Sequence, residues 1–433
     1  MRIVEADLAW TGNRFESGVQ VAVSADGRIA AAGPLGRTAD LRLAGQALLP
    51  GLVSAHSHAF QRGLRGRGEV FPEGGGSFWS WREAMYGLVG RLGADDFQAL
   101  CARTFREMRR AGVTTVGEFH YFHHQDETAD AADYAFDERV LAAAAEAGIR
   151  IALIEVYYRT GGVGQPLAGP QRRFGSPSPA RYWEQMDRLA ARLDPRRESL
   201  GAAVHSLRAA GPEDLAAVYD EARRRDLPFH VHVEEQRREI DDVLAHYGQR
   251  PMALLLATLG TATDLTAVHC THTDAEEMDR FLAAGGTVCL CPLTEANLGD
   301  GIAAVPRARP ASRAFCLGSD SNARISLIEE MRWLEYAQRL ATESRGVLRD
   351  GEGSVATTLL EAATATGARA LGVDAGRIEP GLWADFAAID LGAPSLAGWT
   401  PETLLESVIF GATDEVVAAT CVGGEWMEHR QPQ

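Results

Sequence analysis

The sequence predicts an α/β protein: a (β/α)8 TIM-like barrel with a small β-sandwich domain built from both chain termini. Three observations predict it. Eight short apolar runs recur across the middle of the chain, most of them separated by helical patterns, as repeated βα units around a parallel sheet require. Both flanks read instead as short strands and turns. The length of 433 residues suits one barrel-sized core plus a small accessory domain. The expected limits are 1–48 and 373–433 for the small domain and 49–372 for the barrel.

Residues 1–46 contain "RIVEADLAWTG", "GVQVAVSADGRIAAAGP" and "DLRLAGQ". "ADG" between alternating apolar residues signals a hairpin. The eight runs are "ALLPGLVSAHSH", "TTVGEFHYFHH", "RIALIEVYYR", "LGAAVHSLRA", "PFHVHVEE", "TAVHCTH", "TVCLCPLT" and "FCLGSDSN". Between them, "DDFQALCARTFREMRRAG" and "PEDLAAVYDEARRRDL" start acidic and end basic, as the helix dipole favours. The Gly/Pro segment 161–179 after the third run is expected at the rim of the barrel, on the functional face. Residues 295–313, before the eighth run, form the least helical connection. Beyond residue 373, "GRIEPGLWADFAAIDL" and "EVVAATCVGGEWME" return to strand texture.

Composition narrows the function. A net charge of −16 argues against a nucleic-acid or anionic-membrane surface. There is no lysine, and all 43 basic residues are arginine. That excludes lysine Schiff-base chemistry, a P-loop lysine and a carboxylated-lysine metal bridge. Six cysteines without a CxxC pair read as reduced core residues of a cytosolic protein. "MRIVEADLAW" lacks the features of a signal peptide, and no apolar stretch reaches membrane-spanning length. The expectation is a cytoplasmic protein without nucleic-acid or membrane partners.

In such a barrel the C-terminal ends of strands carry function. "SAHSHAFQRG", residues 54–63, puts His56 and His58 one residue apart at a strand end. Alternate strand residues share a side, so the pair is either a hydrogen-bonded core couple or two legs of a metal site. The fourth strand end adds His205 and Arg208, the fifth His232 and Glu235, the sixth His269 and the eighth Asp320. His56, His58, His232 and Asp320 form an N₃O set suited to Zn²⁺ or another borderline divalent ion. Bound water would fall from a pKa of about 15.7 towards about 7. Without a bridging lysine, one ion is favoured.

Other residues have plainer readings. His230 shares a face with His232 and is the alternative ligand, ranked second because it lies deeper in the strand. His120, His123 and His124 look like a metal cluster but sit beyond the second strand, where supporting contacts are expected. His272 reads as a rim residue, His246 and His429 as surface residues, and Glu234 as solvated or salt-bridged. Cys289 and Cys291 read as core packing.

"LLPGLVSAHSHAFQR", "HVHVEEQ", "VHCTH", "LGSDSN" and "GRIEPGLWADFAAID" resemble the amidohydrolase superfamily, in its cytosine deaminase/chlorohydrolase-like branch, nearly end to end. "SAHSHAFQRGLRG", "SFWSWREAMY" and "GEFHYFHH" are similar, more narrowly, to the bacterial deiminases of N-formimino-L-glutamate in histidine degradation. The resemblance implies ligation by His56, His58, His232 and Asp320, and proton transfer by Glu235 and His269; in the hydrolytic mechanism expected from these roles, Asp320 also carries the second proton. It implies substrate contacts by Gln61, Arg82, Tyr121, His205 and Arg208, a homodimer, and a small dicarboxylate amidine as the only partner. Two carboxylates call for arginine forks, which Arg82 and Arg208 would supply. The plainer alternatives are a stack of Arg82 on Trp79 or Trp81 and a rim salt bridge for Arg208. For Tyr121 and Gln61 they are a half-buried aromatic and a helix-start amide. Rival functions are deamination of a heterocycle or another amidine, an inactive scaffold barrel, and a metal-storage module.

Overall fold

A computed structural model describes residues 1–71, 74–125, 133–260, 264–305 and 314–429. The chain opens with β1 (Arg2–Trp10), β2 (Phe15–Glu16), β3 (Gln20–Val23), β4 (Ile29–Gly33) and β5 (Leu41–Pro50). The expected hairpin joins β3 to β4, and Gly27 at its turn has φ +88°. The middle of the chain supplies β6 (Leu52–Ser57), β7 (Val113–His120), β8 (Arg150–Tyr157) and β9 (Glu198–Ser206). β10 (Phe229–Val233), β11 (Thr266–His269), β12 (Thr287–Leu290) and β13 (Phe315–Leu317) follow. The chain ends with β14 (Phe386–Asp390), β15 (Val417–Val422) and β16 (Glu425–Glu428).

Strands β6 to β13 lie side by side in chain order and every neighbouring pair is parallel. All eight predicted runs supply one barrel strand each. β7 and β8 are buried along their whole length, because helices cover one face and the barrel interior the other. A bridge between Ser57 and Asp320 closes the ring. The helices Ala94–Arg110 and Pro212–Arg224 keep the acidic first turns and basic last turns read from the sequence. Of the weakly helical connection, Pro292–Leu298 is a helix, and residues 306–313 lie outside the described residues, as do 430–433 of the expected small domain.

The remaining strands form a separate sheet from both termini. β1 pairs parallel with β5, and β5 pairs antiparallel with β14, with Leu48 opposite Ala388. The first predicted run therefore divides: residues 47–50 belong to this sheet and residues 52–57 to the barrel. The division falls at Pro50-Gly51. Proline has no N–H for a ladder, and the Gly51 N–H leaves the barrel to donate to Asp385 O (2.9 Å). A Cβ at Gly51 would lie 2.1 Å from Thr114 Oγ1, so the crossing point tolerates no side chain.

The barrel and the terminal sheet are fastened by a buried ion pair. Arg150 Nε donates to Asp385 Oδ2 (2.8 Å) and Nη2 to Oδ1 (3.1 Å). The guanidinium also lies 4.2 Å from the Trp383 ring. All six cysteines are buried and unpaired. Among the described residues no helix is long and apolar enough to cross a membrane. Because removing one partner of a buried pair strands the other charge, Asp385→Ala is expected to cost about 3–5 kcal/mol. The urea midpoint measures it, and an unchanged midpoint would mean that the pair does not hold the two sheets together.

Candidate metal centre and active site

The ends of β6, β10 and β13 bring three imidazoles and a carboxylate together. His56 Nε2 lies 3.2 Å from His58 Nε2 and 3.1 Å from His232 Nε2. Asp320 Oδ1 lies 3.6 Å from His56 Nε2 and 3.4 Å from His58 Nε2. His58 Nδ1 donates to Phe119 O (2.8 Å) and His232 Nδ1 to His205 O (2.9 Å). Those carbonyls fix the tautomers, so both Nε2 atoms turn lone pairs toward His56. Burial lowers His56 to about 3 and takes His232 well below the ordinary imidazole range. The rings are neutral at pH 7. Burial alone would raise Asp320, but the neighbouring His56, His269 and His58 outweigh it and keep the carboxylate ionised.

This donor set fits a divalent cation. At most one N–H can sit among the three facing nitrogens, so their close approach is repulsive unless something positive lies between them. Ligands about 2.0–2.1 Å from a tetrahedral zinc are about 3.3 Å apart, which is the spacing of these atoms.

Above the group opens a pocket of about 630 Å³, its mouth included. Every residue expected at the site lines it except His56, which forms the floor beneath. His269, at the end of β11, has Nε2 3.8 Å from both Glu235 Oε1 and Asp320 Oδ2, and Nδ1 3.3 Å from Glu295 Oε1. Burial would lower His269, but Glu235, Glu295 and Asp320 prevail and raise it to about 10. Arg208 Nη2 donates to Glu235 Oε2 (3.2 Å), and its Nε is 3.8 Å from Glu239 Oε2. Gln61 Nε2 donates to the Tyr121 hydroxyl (2.7 Å). His205 packs between Tyr121 and Tyr158, at 5.3 and 4.8 Å.

Arg82 projects from the helix Phe78–Val89 and spans two readings: it lines the pocket, yet its guanidinium also lies 5.2 Å from the Trp79 ring. Its Nε donates to the Tyr86 hydroxyl and its Nη2 to Gly161 O (3.3 Å). Arg208 is salt-bridged, but inside the pocket rather than at the rim.

The remaining histidines stay away from this group. His230 Nε2 donates to Ala370 O (2.8 Å) on the far side of its strand end. His120 and His123 meet Asp137, and His124 donates to Gly175 O. His246 is exposed, His272 is half-buried beside the rim, and His429 is half-buried against Thr420. Glu234 is fully buried and paired with Arg250. Cys289 packs in the core with Cys316, while Cys291 Sγ comes within 4.8 Å of His269 and Asp320 ligand atoms. Burial raises its thiol well above the ordinary range.

Several pocket groups have no strong sequence signal. Glu295 accepts from Cys291 N (3.0 Å) while facing His269. Glu239 backs Arg208 from the first turn of the helix Arg237–Tyr247, which begins just after Glu235, and Tyr86 follows Arg82 by four residues, a spacing that brings side chains together on a helix. Strand-end backbone is strained here: among the described residues, Glu234, His269, Cys270, Asp320 and Asn322 account for five of the eight non-glycine residues at positive φ. Such conformations cost on the order of 1–3 kcal/mol each and gather at functional sites.

Fold and site together define a metal-dependent barrel hydrolase. The chain belongs to the amidohydrolase family, which its residues 47–427 match. It is 39% identical to the formimidoylglutamate deiminase of Pseudomonas aeruginosa, over 99% of this chain and 94% of that protein. An amidohydrolase structure from Brucella melitensis superimposes with a TM-score of 0.87 at 33% identity, covering 98% of this chain and 94% of its own. A zinc-bound adenosine deaminase from Xanthomonas campestris gives 0.78 at 26% identity, covering 98% and 92%.

Gly318 tests the cradle under His56. A Cβ there would lie 2.7 Å from His56 Cβ, 2.8 Å from His56 O and 3.1 Å from Cys291 Sγ. Gly318→Ala is expected to weaken divalent-cation binding about 10–100-fold, the range for lost outer-shell support of a ligand. Competition against a chromophoric chelator measures it, and wild-type affinity would show that His56 has room to move.

Proposed function

We propose that the protein hydrolyses N-formimino-L-glutamate to N-formyl-L-glutamate and ammonia. The observation that carries this reading is the charge layout of the pocket. Arg82 and Arg208 face in from separate elements, above a floor of Glu235, His269 and Asp320. A substrate with two carboxylates and a cationic amidine matches both halves. The full-length similarity to a formimidoylglutamate deiminase supports the same substrate.

His56, His58, His232 and Asp320 would hold one ion, Zn²⁺ in this reading, and when bound it supplies water acidified enough to act as a nucleophile at neutral pH. The absence of lysine, and so of a carboxylated bridge, favours a single ion there. Arg82 and Arg208 take the carboxylates as charge-assisted pairs. Arg208 must then turn from Glu235, which frees that carboxylate for the amidine. Gln61, Tyr121 and His205 shape the wall around the bound chain. With Asp320 engaged by the ion and Glu235 by the amidine, two of the carboxylates that raise His269 are compensated; its ring, then neutral, orients the attacking water and accepts its proton. Glu235 holds the terminal nitrogen and relays to it the proton that the attacking water gave up to His269, whose Nε2 lies 3.8 Å from Glu235 Oε1. Asp320 carries the second proton as the C–N bond breaks, so water's oxygen stays on the formyl carbon and nitrogen departs as ammonia. A positioned proton-transfer group is typically worth about 10²–10⁴-fold. The same reading takes residues 1–48 and 373–433 as the accessory domain and 49–372 as the catalytic barrel, apart from residues 49 and 50, which pair with β14, with a cytoplasmic homodimer as the working form.

Ammonia release is the direct test, with formiminoglutamate set beside guanine, cytosine and adenosine. Turnover of formiminoglutamate alone is expected; preference for a heterocycle would overturn the reading. Asp320→Asn should lose orders of magnitude in kcat even in protein that retains metal, because an amide cannot take up the proton. Near-normal kcat in that variant would remove Asp320 from the proton path.

The arginines are tested separately. A charge-assisted hydrogen bond contributes roughly 1.5–3 kcal/mol, so Arg82→Met or Arg208→Met should lower kcat/KM at least about tenfold. A formiminated amino acid lacking the side-chain carboxylate should lose much less when the arginine that has no partner is removed. If both variants turn over formiminoglutamate normally, the dicarboxylate pocket is wrong.

A further inference from the structure

The "HYFHH" stretch leaves a cluster that the chemistry above does not use. It lies between the ends of β7 and β8 and the helix Ala135–Ala147. His120 Nε2 and His123 Nδ1 each lie 3.0 Å from Asp137 Oδ1, and His123 Nδ1 lies 3.3 Å from Glu155 Oε1. His120, His123, Asp137 and Glu155 are at most 1% exposed. Among the described residues, neither Glu155 oxygen has a hydrogen-bond partner.

We propose that His120, His123, Asp137 and Glu155 form a second, fully buried metal site, which takes a divalent cation of borderline character such as Zn²⁺. Three arguments support it. The first is the donor chemistry. Two imidazoles and two carboxylates are a zinc-type set, and the ligand atoms of His120, His123 and Asp137 lie within 4.8 Å of one another.

The second is the outer shell. His123 Nε2 donates to Val156 O (2.9 Å), and Gln185 Nε2 donates to Asp137 Oδ2 (2.8 Å). Ligating histidines and carboxylates are typically oriented by such partners. With Nε2 engaged by Val156 O, Nδ1 is the His123 atom that faces the two carboxylate oxygens, where a cation would sit.

The third is charge. Two carboxylates in a dry interior are costly unless paired. A divalent cation with two neutral imidazoles cancels both. Without one, burial and the neighbouring Asp137 push Glu155 well above the ordinary carboxylate range, and the cluster would have to be neutralised by protons instead. An ion here would tie β7, β8 and the helix Ala135–Ala147 together, and it would be acquired as the chain folds.

The test is metal content of the full-length protein, loaded with Zn²⁺ and freed of excess by gel filtration. Wild type is expected to hold about two equivalents of zinc, and Glu155→Gln and His58→Ala about one each. One equivalent in wild type with no change in Glu155→Gln overturns the proposal, as does a second equivalent that survives Glu155→Gln. Should that variant fail to fold, anomalous diffraction of wild-type crystals at the zinc edge decides the matter. A peak among His120, His123, Asp137 and Glu155 is expected, and its absence overturns the site. Formiminoglutamate turnover is read independently, so failure of the substrate assignment leaves this result untouched.

Discussion

Two backbone hydrogen bonds hold the architecture and the candidate centre together. Asp320 N donates to His56 O (3.0 Å), and His58 N donates to Asp320 O (2.9 Å). They close the barrel between its first and last strands. They also set the spacing of three of the four candidate ligands. Asp320 reaches this position only at φ +44°, a strained conformation for a residue with a side chain. Asn322 and Ser57 help to hold it: the Asn322 amide donates to Ser57 Oγ (3.1 Å) and Asp320 O (2.9 Å). On the inner side of the seam, Ser319 N donates to Ser54 Oγ (3.0 Å). A cation bound by His56, His58 and Asp320 would therefore stabilise the barrel's closure as well as its chemistry, since binding only the folded state shifts the folding equilibrium.

The pocket separates charge by depth. The deepest rings are neutral, because burial penalises their protonated forms. Carboxylates surround them: Asp320, Glu235 and Glu295 all face His269. The arginines stand further out. Arg208 stays charged despite burial because Glu239 and Glu235 offset the cost. That balance lets Arg208 exchange one carboxylate for another without leaving a bare cation inside the protein. A ligand carrying only carboxylates would leave Glu235 uncompensated, whereas one that also brings a cation compensates it. The arrangement thus favours a ligand that carries carboxylates together with a cation over a neutral heterocycle.

Much of this was legible in the sequence because strand periodicity is strict. Alternation alone puts His56 and His58 on one side, and the strand-end rule gathers His205, His232, His269 and Asp320 above one sheet. What escaped was set by tertiary geometry. The division of the first run at Gly51 depends on how closely Thr114 approaches, which has no local signature. Glu295 and Glu239 act from helices that follow strands, where an acidic residue in the first turn is ordinary. Glu155 did carry a signal: a carboxylate inside the apolar run "RIALIEVYYR" has no solvated face to occupy when both sides of the strand are buried.

Chemistry and selectivity come from different parts of the fold. The centre is built on strand ends, fixed by the ladders and the seam. Arg82 is held otherwise, by the helix Phe78–Val89 and the segment 161–179. Gln171 Nε2 donates to the Tyr86 hydroxyl (2.8 Å) and to Gly161 O (3.0 Å), the two groups that receive the Arg82 guanidinium. The loop therefore sets where the outer cation stands, and it could change in length or sequence without disturbing the seam. A barrel organised this way can keep one hydrolytic floor while its loops select among substrates, which accounts for a close structural match to an adenosine deaminase in a chain whose own pocket wall is cationic.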